Sequence, residues 1–302
     1  MTTISAFKKD IEFQTKFIEN FIPFKPISIS RQKRTIICGT GDSFAAALLC
    51  EAFSDFRVRA FDPLDLLKNK RIVRGKELYL ISISGNTLSN IKLARKAQMT
   101  IAVTSNPKSK LAKTCKKTIV LRYKNSGIFT SGSISFVASA LTCISLVSKV
   151  KIKNAAKMLA KAQKVATGIR LSSRIFLLGN LYTFPIAMFG AAKLYEILGL
   201  DAHYERIEQF SHMGLFSTNR GDTIIIFEEK NSHNTKLLEH LKKCGLKVIR
   251  IQPPTKNKLE MALFFTFVIE YVAFYHAKRK NLNECYFVTA KKLRNASSSM
   301  IY

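Results

Sequence analysis

The sequence predicts an α/β protein in which parallel β-strands are joined by crossover helices. Short runs rich in Val, Ile and Thr alternate with helical patterns along most of the chain, and this alternation is typical of parallel sheets. The same theme occurs twice, with a join near residue 150. We therefore expect two domains, at residues 1–150 and 151–302. With 302 residues, 47% of them hydrophobic, the chain can form two cores.

The first half opens with an amphipathic stretch that predicts an N-terminal helix, because its apolar residues recur at helical spacing. The spacing of the apolar residues and the local composition then distinguish strand segments from helix segments. Strands are predicted at residues 35–38, 58–61, 78–83, 100–104 and 118–121. Helices are predicted at residues 43–53, 64–69, 86–97, 108–114 and 131–149.

The second half begins with a helix rich in Lys and Ala at residues 155–166. Its apolar runs are again short and bounded by polar turns, which favours buried parallel strands. Strands are predicted at residues 174–178, 223–227 and 247–251, and helices at residues 184–198, 235–244 and 259–276.

Composition limits the class of partner and the compartment. The net charge of +29 is spread over both halves without a basic tail or a stacking platform, so we expect nucleic-acid contact to be incidental. The six cysteines form no C-x-x-C pair, and we expect a reduced, cytoplasmic protein without a metal. The N-terminus lacks the apolar core of a signal peptide, and the most apolar windows are too short for a membrane span.

A cluster of small polar residues follows the strand at residues 78–83 and precedes a helix. It contains Ser82, Ser84, Gly85, Asn86 and Thr87. The first N–H groups of a helix are unpaired and carry partial positive charge, hydroxyls add donors, and a glycine lets the backbone come close to a ligand. This composition favours a phosphate-binding turn over a simple N-cap, which needs only one such residue.

A second turn of similar design joins the first strand to its helix. It reads Gly39-Thr40-Gly41-Asp42-Ser43 and stands at the carboxyl end of a strand, where open α/β sheets bind ligands. It lacks the third glycine of the dinucleotide fingerprint and the lysine of the P-loop. Nucleotide binding is therefore disfavoured, and no cofactor is predicted.

The two turns together resemble the sugar isomerase (SIS) domain family. The resemblance lies in G-x-G-x-S followed some forty residues later by S-x-S-G-x-T. It implies a fold of two tandem SIS domains, each a mostly parallel, flavodoxin-like three-layer sheet flanked by helices. It also implies phosphate ligands at Ser43, Ser82, Ser84 and Thr87, with backbone contacts from Ile83.

Residues 176–214 are similar to the isomerase half of the glucosamine-6-phosphate synthase family. The matching features are Leu-Gly after a strand, Phe-Pro-Ile-Ala, Gly-Ala-x-Lys-Leu-x-Glu, and a His sixteen residues after the Glu. Lys193, Glu196 and His212 fall on the matching positions. Taken alone, Lys193 and Glu196 have the spacing of an ordinary exposed helix pair, and His212 alone has no distinctive context. The joint pattern favours a catalytic group.

The resemblance implies a role for each of these residues. Glu196 would be the base that moves a proton between C1 and C2 of the sugar. His212 would assist ring opening and would come from the neighbouring subunit, which implies a homodimer with a shared site. Lys193, one turn before Glu196, would orient the sugar oxygens.

Three departures from the family pattern bear on the activity. The chain starts almost directly with the phosphosugar half, so we expect no glutamine-dependent amidotransfer by this chain alone. Ser298 stands where the family has a lysine that forms an imine with the sugar, and the tail with Ser297 and Ser298 is predicted to act as a lid. The loop around His212 reads Gln-Phe-Ser-His-Met-Gly rather than Glu-Phe-x-His-Gly-Pro.

These features predict an enzyme that binds a small sugar phosphate. The leading hypothesis is aldose–ketose isomerisation of a hexose or hexosamine 6-phosphate, including deamination of glucosamine 6-phosphate. The alternatives are a sensor that binds phosphosugars without turnover, and a phosphoglucose or phosphomannose isomerase.

Overall fold

The computed structural model describes all 302 residues and has an α/β fold with two parallel sheets, of five and four strands, flanked by helices. The chain forms two compact units, which we name by their sheets. The five-stranded unit comprises Asn20–Lys124, Gly132–Lys151 and Lys291–Tyr302. The four-stranded unit comprises Met1–Glu19, Asn125–Ser131 and Ile152–Ala290.

The sheet of the five-stranded unit has the strand order β2-β1-β3-β4-β5, and all neighbours are parallel. This is the doubly wound order in which β1 and β3 flank the switch point. The strands are β1 (Thr35–Cys38), β2 (Arg59–Phe61), β3 (Glu77–Ile81), β4 (Met99–Thr104) and β5 (Lys117–Val120). Sequence predicted all five.

Helices connect these strands because parallel neighbours need a crossover. The connecting helices are α3 (Asp42–Phe53), α4 (Pro63–Lys68), α5 (Leu88–Ala94) and α6 (Lys110–Thr114), with a 3₁₀ turn at Lys70–Val73. Helix α2 (Ile29–Gln32) precedes β1, and α7 (Ile134–Ser145) and α14 (Lys291–Ile301) follow β5. Alternate residues of β1 and β3 pack against α4, α5 and α6 and form a hydrophobic core with them. This core includes Ile36, Cys38, Leu78, Leu80 and Leu111. Helices α3 and α7 pack together, and the Cys50 thiol donates to the Cys143 carbonyl.

The sheet of the four-stranded unit has the order β7-β6-β8-β9 and is also parallel throughout. Its strands are β6 (Arg174–Leu178), β7 (Asp201–Glu205), β8 (Thr223–Ile226) and β9 (Lys247–Arg250). Phe176 and Leu178 of β6, with Ile224 and Ile226 of β8, form a core face. These alternate positions correspond to those that face the core in β1 and β3.

Six helices and a 3₁₀ turn at Gly214–Ser217 complete the four-stranded unit after α1 (Thr3–Glu19). The helices are α8 (Ala155–Gly168), α9 (Phe184–Leu198), α10 (Ile207–His212), α11 (Ser232–Lys243), α12 (Lys258–Arg279) and α13 (Tyr286–Thr289). Helix α12 is long and apolar enough to cross a membrane by length and composition, but 89% of its most apolar window is buried. It packs against α8 and α9, as a core helix does.

Strand β7, the short helices α2, α10 and α13, and the extent of the two units differ from the sequence prediction. Strand β7 was not predicted, because it lies at the sheet edge and its sequence is polar, with only Ala202 buried. The units also cross the predicted boundary at residue 150. Helix α1 groups with the four-stranded unit, where it contacts α8 and α12, and α14 groups with the five-stranded unit.

The close approach of α9 to the four-stranded sheet depends on Gly190. A Cβ at this position would lie 2.7 Å from Ile269 Cγ1 and 2.8 Å from Leu177 Cδ2, both buried. We expect Gly190→Ala to lower the free energy of unfolding by about 1–3 kcal/mol, as for an overpacked core. Urea denaturation measures this change.

Gly168→Ala is the matched control, because Gly168 is the last residue of α8 and a Cβ there meets nothing within 4 Å. We expect it to be neutral or to stabilise by about 0.5–1 kcal/mol. Equal stability of the two variants would contradict the packing account.

Candidate functional site

The turn at residues 82–87 has its own hydrogen-bond network. The hydroxyls of Ser82 and Thr87 lie 2.9 Å apart and share a hydrogen bond, and the Gly85 N–H donates to Ser82 Oγ at 3.1 Å. The Asn86 N–H donates to Ser84 Oγ at 3.3 Å. Thr87 is the N-cap residue of α5, yet its side chain makes no capping bond. The turn therefore concentrates hydroxyl groups beyond what capping requires.

Residues at the end of β4 hold the backbone of the turn at residues 82–87 by hydrogen bonds. The Ile83 carbonyl accepts from Thr104 Oγ1 at 3.0 Å and from Ser105 Oγ at 2.9 Å. Gly85 has φ +66°, and a Cβ there would overlap the side chain of Ser109. Glycine is required at this position by both conformation and space. The prediction of a close backbone turn at Gly85 agrees with this geometry.

The glycine-rich turn after β1 leaves the same edge of the five-stranded sheet. Cys38, the last residue of β1, pairs with Leu80 of β3, so both strands end together. Gly41 has φ +56°, and a Cβ at Gly39 would lie 2.7 Å from the carbonyl of Ser43. Ser43 is in the first turn of α3 and is buried.

The five phosphate ligands predicted from the sequence thus lie on two adjacent turns of one unit. Ser43, Ser82 and Thr87 are buried, and Ile83 and Ser84 are half-buried. Hydroxyls and backbone N–H groups at two helix starts are suited to an oxyanion. Phosphate binding by these residues stays a prediction.

A second group of polar side chains lies in the four-stranded unit, on α9. Lys193 Nζ donates to Glu196 Oε2 at 2.9 Å and to Ser131 Oγ at 2.8 Å. Ser131 Oγ in turn donates to Glu196 Oε2 at 2.5 Å. The Lys193 side chain is fully buried, whereas 39% of the Glu196 side chain is exposed. We call Ser131, Lys193 and Glu196 the α9 cluster.

The α9 cluster differs from an ordinary surface ion pair. A buried ammonium needs an opposite charge and further acceptors, because desolvation of a charge is costly. Lys193 also lies over the Phe189 ring, with Nζ 4.8 Å from the centroid. Both hydrogen bonds to Glu196 end on Oε2, so the carboxylate is held by one oxygen at the surface.

Sequence reasoning missed Ser131, which was included in a helix predicted to begin there. In the structure, α7 begins only at Ile134, and Ser131 precedes it in a bend. The available signal was Ser-Gly-Ser at residues 131–133, which repeats the hydroxyl–glycine composition of the turn after β3.

Cys285 is a buried thiol that remains protonated in the field of Glu196. Burial raises its pKa more than the hydrogen bond with Thr130 lowers it, and the charge of Glu196 raises it further. The Cys285 sulfur lies 3.6 Å from Thr130 Oγ1. A neutral thiol leaves Lys193 and Glu196 as the charged members of the group.

His212 lies at the end of α10 and is exposed. Its Nε2 is 3.1 Å from Glu208 Oε1, and 71% of its side chain is accessible. Met213 and Phe216, which follow it, are also exposed. The catalytic role predicted for His212 is not tested by this arrangement.

The predicted tail lid forms an α-helix. Ser297 and Ser298 lie on α14, which has no buried residue and is amphipathic, with Leu293 and Met300 exposed. Its closure over a ligand stays a prediction.

Comparison with solved structures identifies the fold. Neither a protein-family model nor a curated protein matches the sequence. The chain is similar to glucosamine-6-phosphate deaminase from Thermotoga maritima, with a TM-score of 0.75 and 18% identity over 93% of this chain and 95% of that chain. The chain shares the fold of the sugar isomerase (SIS) proteins.

Two further structures with the SIS fold match over a similar length. One is the C-terminal domain of glucosamine-fructose-6-phosphate aminotransferase from Francisella tularensis, with a TM-score of 0.70 and 15% identity over 93% of this chain and 97% of that chain. The other is tagatose-6-phosphate ketose/aldose isomerase from Escherichia coli, with a TM-score of 0.68 and 17% identity over 93% and 91%. The resemblance recognised in the sequence is confirmed at the level of the SIS fold.

The hydroxyl of Ser131 can be tested apart from any activity. Ser131→Ala removes an acceptor from the buried Lys193 and a donor from Glu196. We expect the free energy of unfolding to fall by about 1–3 kcal/mol, the range for a buried charged group that loses a hydrogen bond. Ser297→Ala, on the exposed α14, serves as the control and should change stability by less than about 0.5 kcal/mol. An unchanged stability of Ser131→Ala would show that the α9 cluster does not need this hydroxyl.

Proposed function

We propose that the chain consists of two tandem SIS domains and that it binds a hexose or hexosamine 6-phosphate, which it converts by aldose–ketose proton transfer. In this proposal the phosphate ligands are those of the turns after β1 and β3, and the acid–base groups are those of the α9 cluster with His212. The proposal draws on the sequence motifs, on the two turns and the α9 cluster, and on the phosphosugar activities named for proteins of the same fold.

The phosphate end rests on the chemistry of the two turns. A phosphate monoester is a dianion that accepts several hydrogen bonds, and Ser43, Ser84 and Thr87 can donate through their hydroxyls. The turns also start two helices, and a helix N-terminus carries partial positive charge. No nucleotide fingerprint competes with this assignment.

The observation that carries the catalytic part is the asymmetry of the α9 cluster. Lys193 is fully buried and holds one oxygen of a carboxylate that remains 39% exposed. A base must keep a fixed position and still reach its substrate, and this arrangement meets both requirements. In an ordinary surface salt bridge the lysine side chain is exposed to solvent, whereas Lys193 is fully buried.

For glucosamine 6-phosphate the proposed reaction consumes water and releases ammonia. After ring opening assisted by His212, Glu196 removes the proton from C2 and returns it to C1. The resulting C2 imine is hydrolysed by water to fructose 6-phosphate and ammonia. Ser298 cannot form an imine with the sugar, so no covalent intermediate with the tail is proposed. A neutral hexose 6-phosphate would follow the same proton transfer without ammonia.

We further propose that the chain acts as a homodimer in which His212 serves the site of the partner. His212, Met213 and Phe216 present exposed ring and apolar surface in one short segment, with 86% of Phe216 accessible. An exposed apolar patch of this kind is typical of a protein contact. A second copy of the chain is the partner that the resemblance implies.

A second candidate is a phosphosugar sensor without turnover. The substitution of Ser298 for the expected lysine favours it, because a sensor keeps the phosphate turns and has no need of that lysine. The sensor would be stabilised by a sugar phosphate and would form no product.

One assay separates the candidates. Purified protein incubated with glucosamine 6-phosphate should yield ammonia and fructose 6-phosphate in equal amounts. Glu196→Gln should lower kcat at least about a hundredfold, the usual contribution of a general base, while the rise in melting temperature with the sugar phosphate persists. Glu239→Gln, on an exposed position of α11, is the control and should keep full activity.

A folded wild type that is stabilised by the sugar phosphate but forms no product would favour the sensor. Product formed at the wild-type rate by Glu196→Gln would remove Glu196 from the reaction.

Subunit sharing has a separate test by complementation. Glu196→Gln and His212→Ala should each be inactive as homodimers. In a hybrid dimer, one of the two sites would combine an intact Glu196 with an intact His212 from the other chain. After random exchange of chains we expect about one quarter of the wild-type activity, because half of the dimers are hybrids. Absence of recovery, with exchange demonstrated by differently tagged chains, would place both residues in the same chain.

A further inference from the structure

The turn after β6 has the same place between a strand and a helix as the turn after β1, and its backbone is similar at two positions. Gly179 corresponds to Gly39, and a Cβ there would lie 2.6 Å from the carbonyl of Thr183, as the Cβ of Gly39 would meet Ser43. Leu181 has a positive φ of +45°, as Gly41 has with φ +56°. Leucine in this conformation is strained, so the surrounding structure must hold the turn in place.

The next strand continues the correspondence. Leu178 of β6 pairs with Ile226 of β8, as Cys38 of β1 pairs with Leu80 of β3. The residue two positions beyond Leu80 is Ser82, and the residue two positions beyond Ile226 is Glu228. Both residues lie just past the end of their strand, the same number of positions beyond a paired residue. Glu228 therefore has, in the four-stranded unit, the place that Ser82 has in the five-stranded unit.

The carboxylate of Glu228 is bound by the repeated turn. Its Oε1 accepts from the Asn180 backbone N–H at 2.9 Å and from Thr183 Oγ1 at 2.6 Å. Thr183, which corresponds to Ser43, is buried and precedes the first turn of α9. A backbone N–H and a hydroxyl at a helix start thus bind an oxyanion that belongs to the chain itself.

We infer that the turn at residues 179–183 is a second oxyanion site, built like the one at residues 39–43, and that Glu228 occupies it as an internal ligand. The class of external ligand that fits is a phosphate ion or a phosphate monoester. The wild-type chain binds none there, because the Glu228 carboxylate takes the donors and repels a second anion.

The charge balance at Glu228 agrees with this account. Burial raises the pKa of Glu228, and the hydrogen bonds from Thr183 and Asn180 lower it, with burial the larger effect. The carboxylate is therefore costly to keep at this place. Its replacement by a serine, as at Ser82, leaves the same donors for an anion from solution.

The experiment counts bound inorganic phosphate by equilibrium dialysis, with radiolabelled phosphate in chloride buffer of matched ionic strength. Glu228→Ser should bind one more phosphate per chain than the wild type. Glu228→Gln is the control for loss of the charge alone, because the carboxamide keeps its oxygen as an acceptor in the turn and should add none. A folded Glu228→Ser with the phosphate count of the wild type would overturn the inference.

The reciprocal variant tests the correspondence from the other unit. Ser82→Glu places a carboxylate at the equivalent position and should lower the phosphate count of the wild type by one, and the double variant should restore it. If the wild type binds no phosphate but Glu228→Ser binds one, the proposed function fails while this inference stands. The inference concerns the fold of the turn and does not depend on which sugar is converted.

Folding of Glu228→Ser is assessed by circular dichroism in chloride and in phosphate. A variant that is unfolded in chloride but native in phosphate would support the site, because the ion replaces the lost internal ligand. A variant that stays unfolded in both, together with a Ser82→Glu variant that binds phosphate as the wild type does, would overturn it.

Discussion

The candidate phosphate-binding turns depend on the parallel pairing of strands that are neighbours in the sheet. Because β1 and β3 run in the same direction, their carboxyl ends meet at one edge of the sheet, and the turns after them are neighbours in space. Residues some forty positions apart in sequence are thereby brought side by side. The same pairing of β6 with β8 brings Glu228 to Thr183.

Burial of a single charge organises the α9 cluster. Lys193 lies within α9 without contact with solvent, so its ammonium needs acceptors at fixed positions. Glu196 supplies the charge from the next turn of the helix, and Ser131 supplies a neutral oxygen from a distant part of the sequence. The three groups are interdependent, and the position of the carboxylate is a consequence of where the lysine is buried.

Features that depend on local sequence pattern could be predicted from the sequence. Features that depend on tertiary contacts were missed. The turn at Gly85 was predictable because glycine and hydroxyl residues mark it directly. The edge strand β7 was missed, since its polar residues carry no apolar alternation. Lys193 and Glu196 have the spacing of an exposed pair, and nothing in their spacing reveals that one of them is buried. Ser131 was missed because its partner is 62 residues away, on another element.

The two units show how a repeated turn can keep its structural role while its binding role changes. The turn at Thr183 starts α9, the helix that carries Lys193 and Glu196, so its conformation must be kept for the ion pair of these two residues to be in place. In a chain with 49 basic and 20 acidic side chains, an open turn of this kind would attract anions from solution. A carboxylate on the neighbouring strand binds without the translational entropy that a free anion loses. The hydrogen bonds of Glu228 therefore hold the turn from which α9 begins without an ion from solution.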